Sequence, residues 1–369
     1  MVKGACLSME YEKMRAIWQV LYLLNRKVFM FTILLRCVAG VISLCISCQP
    51  SFAEDESSFW DGFRLGGYTS VDLRIPRTET SKLNWNEFSM IVTWDKGTRV
   101  KFFGELDLED IASYTNRQGL DFRDAYINPE RLYFDVNLHQ NANLRIGRFL
   151  TPMGRWNQLH ASPLVWTASR PLTTTELFPS FTSGLQLFGN IPFQERSLDY
   201  HVYTATMNAQ PESRGETQYK EARGARVAIN NVLNFTDENA GLNTIGLNVA
   251  SYRDDKPNGP KYHIVGLDFL IEYGRWEFSG EAYSRKVEHG QSGGSGAYLQ
   301  SAFLIKDEWY WITRLENLHQ PTSQNAERWM LGLTKRLKPN QLLKFEFVGG
   351  SGYYEDVPRG FTTSFAMMY

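Results

Sequence analysis

Residues 262–286 read YHIVGLDFLIEYGRWEFSGEAYSRK. Val265, Leu267, Phe269, Ile271 and Tyr273 fall on one face of an extended chain, and Ile264, Gly266, Asp268, Leu270 and Glu272 on the other. Gly274-Arg275 supply a two-residue turn. The return run then sets Trp276, Phe278, Gly280 and Ala282 against Glu277, Ser279, Glu281 and Tyr283. Period-two alternation around a short glycine-bearing turn predicts a β-hairpin. A second hairpin repeats the pattern. Phe88, Met90, Val92 and Trp94 share a face, Lys96-Gly97 turn the chain, and Val100, Phe102, Gly104, Leu106 and Leu108 oppose Arg99, Lys101, Glu105, Asp107 and Glu109. A charge at nearly every second position is hard to bury in a β-sandwich. A water-filled lumen accommodates it, with the apolar face turned to lipid.

The same reading outward from these hairpins gives strands near 63–74, 84–95, 98–109, 123–138, 143–150, 183–190, 197–208, 221–230, 242–252, 262–273, 276–286, 296–305, 308–317, 328–337, 341–348 and 360–369. The fold class is all-β, a transmembrane antiparallel β-barrel of about sixteen strands, with fourteen left open. Short turns at Lys96-Gly97, Gly274-Arg275 and Lys306-Asp307 alternate with longer polar loops at 110–121, 208–220, 254–260 and 290–295. That asymmetry is expected of short periplasmic turns and longer outer loops. Phe361, Thr363, Phe365, Met367 and Tyr369 alternate up to an aromatic end, the kind of strand that barrel-assembly machinery reads.

The bulk properties agree. Mean hydropathy is −0.35, which a barrel tolerates because only alternate residues face lipid. The chain holds 18 Tyr, 23 Phe and 10 Trp, enough for two interfacial girdles. All four cysteines lie before residue 49, so the rest of the chain suits an oxidising periplasm. The first 53 residues hold six basic residues and two acids, leaving 33 basic against 38 acidic. A nucleic-acid partner, which needs a basic surface, is not expected.

Residues 28–48 form an apolar run after Asn25-Arg26-Lys27, and Ser51-Phe52-Ala53 follow in small-x-small order. Residues 1–53 are therefore expected to be a signal peptide cleaved after Ala53, with Met30 as an alternative start. Residues 54–369 would form the barrel in the outer membrane, with its lipids as partner.

One segment breaks the alternation. After the strand at 143–149 come Thr151-Pro152-Met153-Gly154-Arg155-Trp156, then Pro163, Pro171 and Pro179, before strand character resumes at Gly184. A stiff, partly apolar loop of this length is usually functional. It is expected to fold into the barrel over about 151–182 and narrow it. The run LRIGRFLTPMG (residues 144–154), preceded by FRDAYI (residues 122–127), resembles the strand-and-loop signature of porins related to the phosphate-selective porins. The resemblance implies a sixteen-stranded channel with an inward loop, and a homotrimer. It does not imply phosphate, because the Arg and Lys arrays of those channels have no position-by-position match here.

Candidate pore-lining and constriction residues are Arg145, Arg148, Arg155 and Arg170 in or beside the loop, with Arg99, Lys101, Glu105, Asp107, Glu281 and Arg314 on strands. Opposed charges across a lumen set ion preference. The function expected is passive diffusion of small hydrophilic solutes or ions. A lipase-like barrel enzyme and a non-conducting structural barrel are the alternatives. His160-Ala161-Ser162 has the His-x-Ser spacing of outer-membrane phospholipases, but Pro163 stands where that family has Asn-Gly. No catalytic residue, metal or cofactor is therefore expected. His139, His201, His263, His289 and His319 lack metal-ligand spacing. Glu105, Asp107 and Glu109 of the ELDLED run share a face, which suits lumen lining or at most a weak Ca²⁺ contact.

Overall fold

Inward charge and outward hydrocarbon organise the molecule. The computed structural model describes residues 59–77, 80–159, 161–207, 219–233, 238–288, 290–321, 325–352 and 359–369. The expected signal segment lies outside them. The strands are β1 (Phe63–Pro76), β2 (Lys82–Trp94), β3 (Val100–Thr115), β4 (Gly119–Asp121), β5 (Tyr126–His139), β6 (Ala142–Leu150), β7 (Phe181–Phe193), β8 (Arg196–Ala205) and β9 (Tyr219–Asn230). They continue as β10 (Ala240–Asp254), β11 (Lys261–Tyr273), β12 (Trp276–Val287), β13 (Ser292–Lys306), β14 (Trp309–His319), β15 (Ala326–Lys338), β16 (Gln341–Ser351) and β17 (Gly360–Met368). Each long strand pairs antiparallel with the next, and β17 pairs with β1, so the sheet closes. The three-residue β4 only folds back on the end of β3. The barrel therefore has sixteen staves, not fourteen. No described helix is long and apolar enough to cross a membrane; the strands do so.

The two faces are inverted relative to a soluble protein. Leu315, Leu267 and Val265 are 58%, 56% and 53% exposed on the outside, whereas Arg314 and Lys344 are fully buried within. Outward aromatics gather at both ends of the staves. Phe63, Trp94, Trp276 and Trp311 lie toward one end, and Trp85, Tyr114, Trp329 and Phe347 toward the other. Such girdles mark two membrane–water interfaces.

Turn chemistry fixes the hairpins. Gly274 sits at φ +60, and the β13–β14 turn places Asp307 and Glu308 at φ +50 and +61. Two successive left-handed residues match the twist of a tight hairpin. That turn lies one residue later than the expected Lys306-Asp307. At the opposite end the 110–121 loop is shorter than expected, because β3 runs on to Thr115 and β4 pairs back against it. Closure is local as well as global. Gly67 and Tyr369 exchange backbone hydrogen bonds at 3.1 and 3.0 Å. The Tyr369 ring stacks on Phe88, and its hydroxyl donates to the Ser89 carbonyl at 2.9 Å. A Cβ at Gly67 would run into both that carbonyl and the Tyr369 hydroxyl.

Candidate constriction site

The chain between β6 and β7 turns into the lumen, as the proline-rich composition of 151–180 requires of a segment that cannot join a sheet. It contains two short 3₁₀ turns, Trp156–Leu159 and Ser162–Leu164, and one helical turn, α1 (Leu172–Glu176). Its apolar residues find partners on the inner wall. Met153, Leu172, Leu177 and Phe178 pack with Tyr252, Ile264, Tyr283 and Leu318. Trp166 packs against a second cluster of Ala302, Ile312, Met330 and Val348.

Backbone groups buried inside a barrel need partners, and here wall side chains supply them. Glu281 accepts from the Arg155 and Trp156 amides at 2.9 and 2.7 Å, and from the hydroxyls of Tyr283 and Tyr298 at 2.8 and 3.2 Å. Glu346 accepts from the amides of Ala168 and Ser169, and Glu316 from that of Leu172 at 2.8 Å. Asn248 accepts from the Gly154 amide at 2.9 Å. Cations take the carbonyls. Lys344 donates to Ser162 and Thr167 at 2.6 and 3.0 Å, and Arg328 to Arg170. Arg314 donates to the hydroxyls of Thr167 and Ser169 at 2.9 and 2.7 Å, while also pairing with Glu316 at 2.8 Å. Gly154 lies at φ +63, and a Cβ there would collide with Glu281 and Tyr283. The Pro-Met-Gly end of the motif thus needs glycine for both conformation and space.

The loop leans mainly on β10–β16, reaches β1 and β17 only through Ser162–Leu164, and leaves a cavity of about 220 Å³ against the remaining wall. From the loop side it is lined by Ser162, Ala168 and Arg170. From the wall come Asp72, Glu87, Asp107, Glu109, Asp110 and Glu130, with Arg74. Six carboxylates thus face Arg170, with Arg74 among them and paired to Asp72 at 3.4 Å. Two breaks in strand register build this wall. Glu87 and Trp85 of β2 pair with Glu109 and Ala112 of β3 across a bulge that includes Asn86 and Asp110. On β5, Arg131 pairs with Glu105 and Pro129 with Leu106, so Glu130 is an extra residue. Bulges re-aim side chains, and this one buries Glu130 beside a half-buried Arg131 that pairs with Glu105.

The ten expected residues separate into groups. Arg170 and Asp107 line the cavity, and Glu105 lies beside Asp107. Arg148 donates to the Glu130 carbonyl at 3.1 Å and lies over Phe181, which lines the same cavity. Arg155 enters through its backbone amide, held by Glu281. Glu281 and Arg314 face inward as expected, but both are buried beneath the loop and hold it, so they are anchors and not pore lining. Arg145 pairs with Asp135 at 2.8 Å and lies over Tyr133 and Phe188, farther along the inner wall. Arg99 and Lys101 sit at the β2–β3 turn, away from the loop: Arg99 is exposed, and Lys101 pairs with Asp95 at 2.7 Å. Hydrogen bonds from Lys101 and the Gly97 amide hold the Asp95 carboxyl below its ordinary value. Of the His-x-Ser pair, His160 lies outside the described residues, and the Ser162 carbonyl is engaged by Lys344. Lys344, Glu346, Arg328, Glu87 and Glu130 were not expected. Inward parity on β16 would have flagged the first two, whereas the bulge hides Glu130.

An apolar exterior, a charged interior and an inward loop define an outer-membrane β-barrel. Solved structures agree on the fold. The anion-selective porin from Comamonas acidovorans superposes with a TM-score of 0.53 at 15% identity, covering 83% of this chain and 98% of that one. The trimer form of OmpT, an outer membrane protein of Vibrio cholerae, gives 0.54 at 9% identity, over 83% and 99%. OmpT of Vibrio cholerae expressed in the outer membrane gives 0.52 at 9%, over 86% and 99%. The chain is thus a porin-type barrel in fold. No family model and no curated protein sequence matches it.

Proposed function

We propose that the protein is a narrow diffusion channel whose constriction is the space between Arg170 on the inward loop and the acidic wall of β1, β2, β3 and β5. The observation that carries this reading is the division of the inner wall. Beneath the loop, charges are consumed by loop backbone; opposite Arg170, six carboxylates line open volume. Opposed charges on the two sides of a gap create a transverse field, and an excess of carboxylates favours cations. The anion preference named for the Comamonas porin is therefore not carried over, nor is the phosphate preference of the family that the 144–154 motif resembles. Assembly as a homotrimer, cleavage after Ala53 and recognition of the terminal strand by assembly machinery complete the proposal.

A non-conducting barrel is the second reading. It is favoured by one observation, that the turn Ser162–Leu164 crosses far enough to pack on β1 and β17. Planar-bilayer recording separates the two. The channel reading expects single-channel conductance and a reversal potential of cation sign in a KCl gradient. Arg170→Ala should shift that potential further toward cations, while Arg155→Ala, whose contribution is largely backbone, should shift it less. Absence of conductance sinks the channel. Unchanged reversal potentials in both variants remove Arg170 and Arg155 from the constriction.

A further inference from the structure

Glu105, Asp107 and Glu130 bring carboxylate oxygens to within 4.8 Å of one another, and all three residues are buried. Clustered acids alone say little, since exposed ones commonly stand without an ion. Two features set this cluster apart. Asp107 is 2% exposed, and its Oδ1 has no hydrogen-bond partner among the described residues. A buried carboxylate oxygen without a donor is costly. The other feature is how the third acid arrives: the β5 bulge adds Glu130 to a face where strict alternation would supply only Arg131.

We propose that Glu105, Asp107 and Glu130 bind a divalent cation, Ca²⁺ by the number of carboxylates, on the wall of the constriction. Ca²⁺ takes about six to eight oxygen ligands at about 2.3–2.6 Å in flexible geometry and is commonly held by several carboxylates. Mg²⁺ keeps most of its water and is held by one or two carboxylates in near-regular octahedral geometry, so three carboxylates on one wall favour Ca²⁺. Tyr68 places its hydroxyl 3.4 Å from both Asp107 and Glu130, where it closes the site from β1. Arg131 on Glu105 lowers the charge available to the ion and keeps the site weak. The cavity in front, lined by Asp107 and Glu130, gives access and room for bound water. The competing arrangement is a proton shared by Asp107 and Glu130, which leaves no place for a metal.

This inference rests on placing the wall at the constriction, but its test reads binding without conductance. The full barrel, purified in detergent and stripped with chelator, is titrated calorimetrically with CaCl₂. One saturable site is expected. Asp107→Asn and Glu130→Gln should each weaken it about tenfold or more, whereas Glu195→Gln, on the exposed β7–β8 turn, should leave it intact. Tb³⁺ luminescence sensitised by Tyr68 gives a second readout, displaced by Ca²⁺ and not by equal Mg²⁺. Heat-modifiable gel migration identifies folded variants, and the two acid variants back each other. No saturable Ca²⁺ binding in the wild type, or folded variants that bind as the wild type does, overturns the site. If binding fails while conductance persists, only the cation site falls. If binding holds in a barrel that does not conduct, the channel reading falls alone.

Discussion

Replacing Glu281 should free the entrance of the inward loop while leaving the barrel intact. The carboxylate receives four hydrogen bonds, two of them from the consecutive amides of Arg155 and Trp156. Bonds to a charged acceptor contribute about 1.5–3 kcal/mol each, and neutral ones about 0.5–1.5. Gln can keep one oxygen toward both amides and turn its NH₂ to the Tyr283 hydroxyl, which can accept. Glu281→Gln therefore loses roughly 1 kcal/mol at each amide, or about 2 kcal/mol in all, close to a thirtyfold rise in local opening. Glu281→Ala also strands both buried amides, at about 1–3 kcal/mol each, so its effect should reach several hundredfold. Hydrogen exchange measured on peptides spanning residues 153–158 reads these factors directly. Peptides from β14–β16 should not change, because Glu316, Glu346 and Lys344 still hold the rest of the loop. Exchange within about threefold of wild type in both variants would refute the reasoning, since the four bonds could then not be what closes this end. A uniform rise in every strand would refute it differently, by making Glu281 a determinant of the whole fold.

Leu267 lies mid-strand on β11 and is 56% exposed on the outer face. Leu267→Arg should cost about 2–4 kcal/mol in lipid vesicles, while Gln118→Arg, on an exposed loop, should cost almost nothing; equal urea midpoints for the two would remove lipid from that face. Tyr369→Ala deletes the stack on Phe88 and the bond to the Ser89 carbonyl, together about 2 kcal/mol. The temperature at which the folded gel band converts to the unfolded one should fall by several degrees, and an unchanged temperature would show that the seam is closed by backbone bonds alone.

The staves were legible because each obeys one rule, apolar outward and anything else inward. All sixteen expected strands overlap observed ones, and the run 262–286 forms the β11–β12 hairpin with the faces assigned from its alternation. The site was legible only in part. Parity put Glu105, Asp107, Glu281 and Arg314 inside, correctly. It could not follow Glu130, because Pro129 sits at a bulge that breaks the alternation on β5. Proline in a ladder is a warning of such a break, and on β5 it was available in the sequence. Long-range anchoring was not. Nothing local in LLKFEFV, residues 342–348, says that Lys344 and Glu346 will meet backbone some 180 residues earlier in the chain.

Glu281 and Asp107 show why inward parity alone does not identify a pore residue. Both are buried carboxylates on inner faces of the same barrel. Glu281 meets two amides and two hydroxyls, so its charge is spent on the loop. Asp107 has an oxygen with no donor among the described residues and borders open volume. The difference lies in where the loop rests. A buried charge costs several kcal/mol unless something compensates it, so the wall beneath the loop can be charged because loop backbone compensates it. Beyond the loop's reach, wall side chains compensate some carboxylates, as Arg131 does Glu105 and Asn128 does Glu109, and the rest falls to water, to Arg170 or to a mobile cation. Moving the loop would therefore exchange the two roles: the carboxylates it uncovers would become pore lining, and those it newly covers would become anchors.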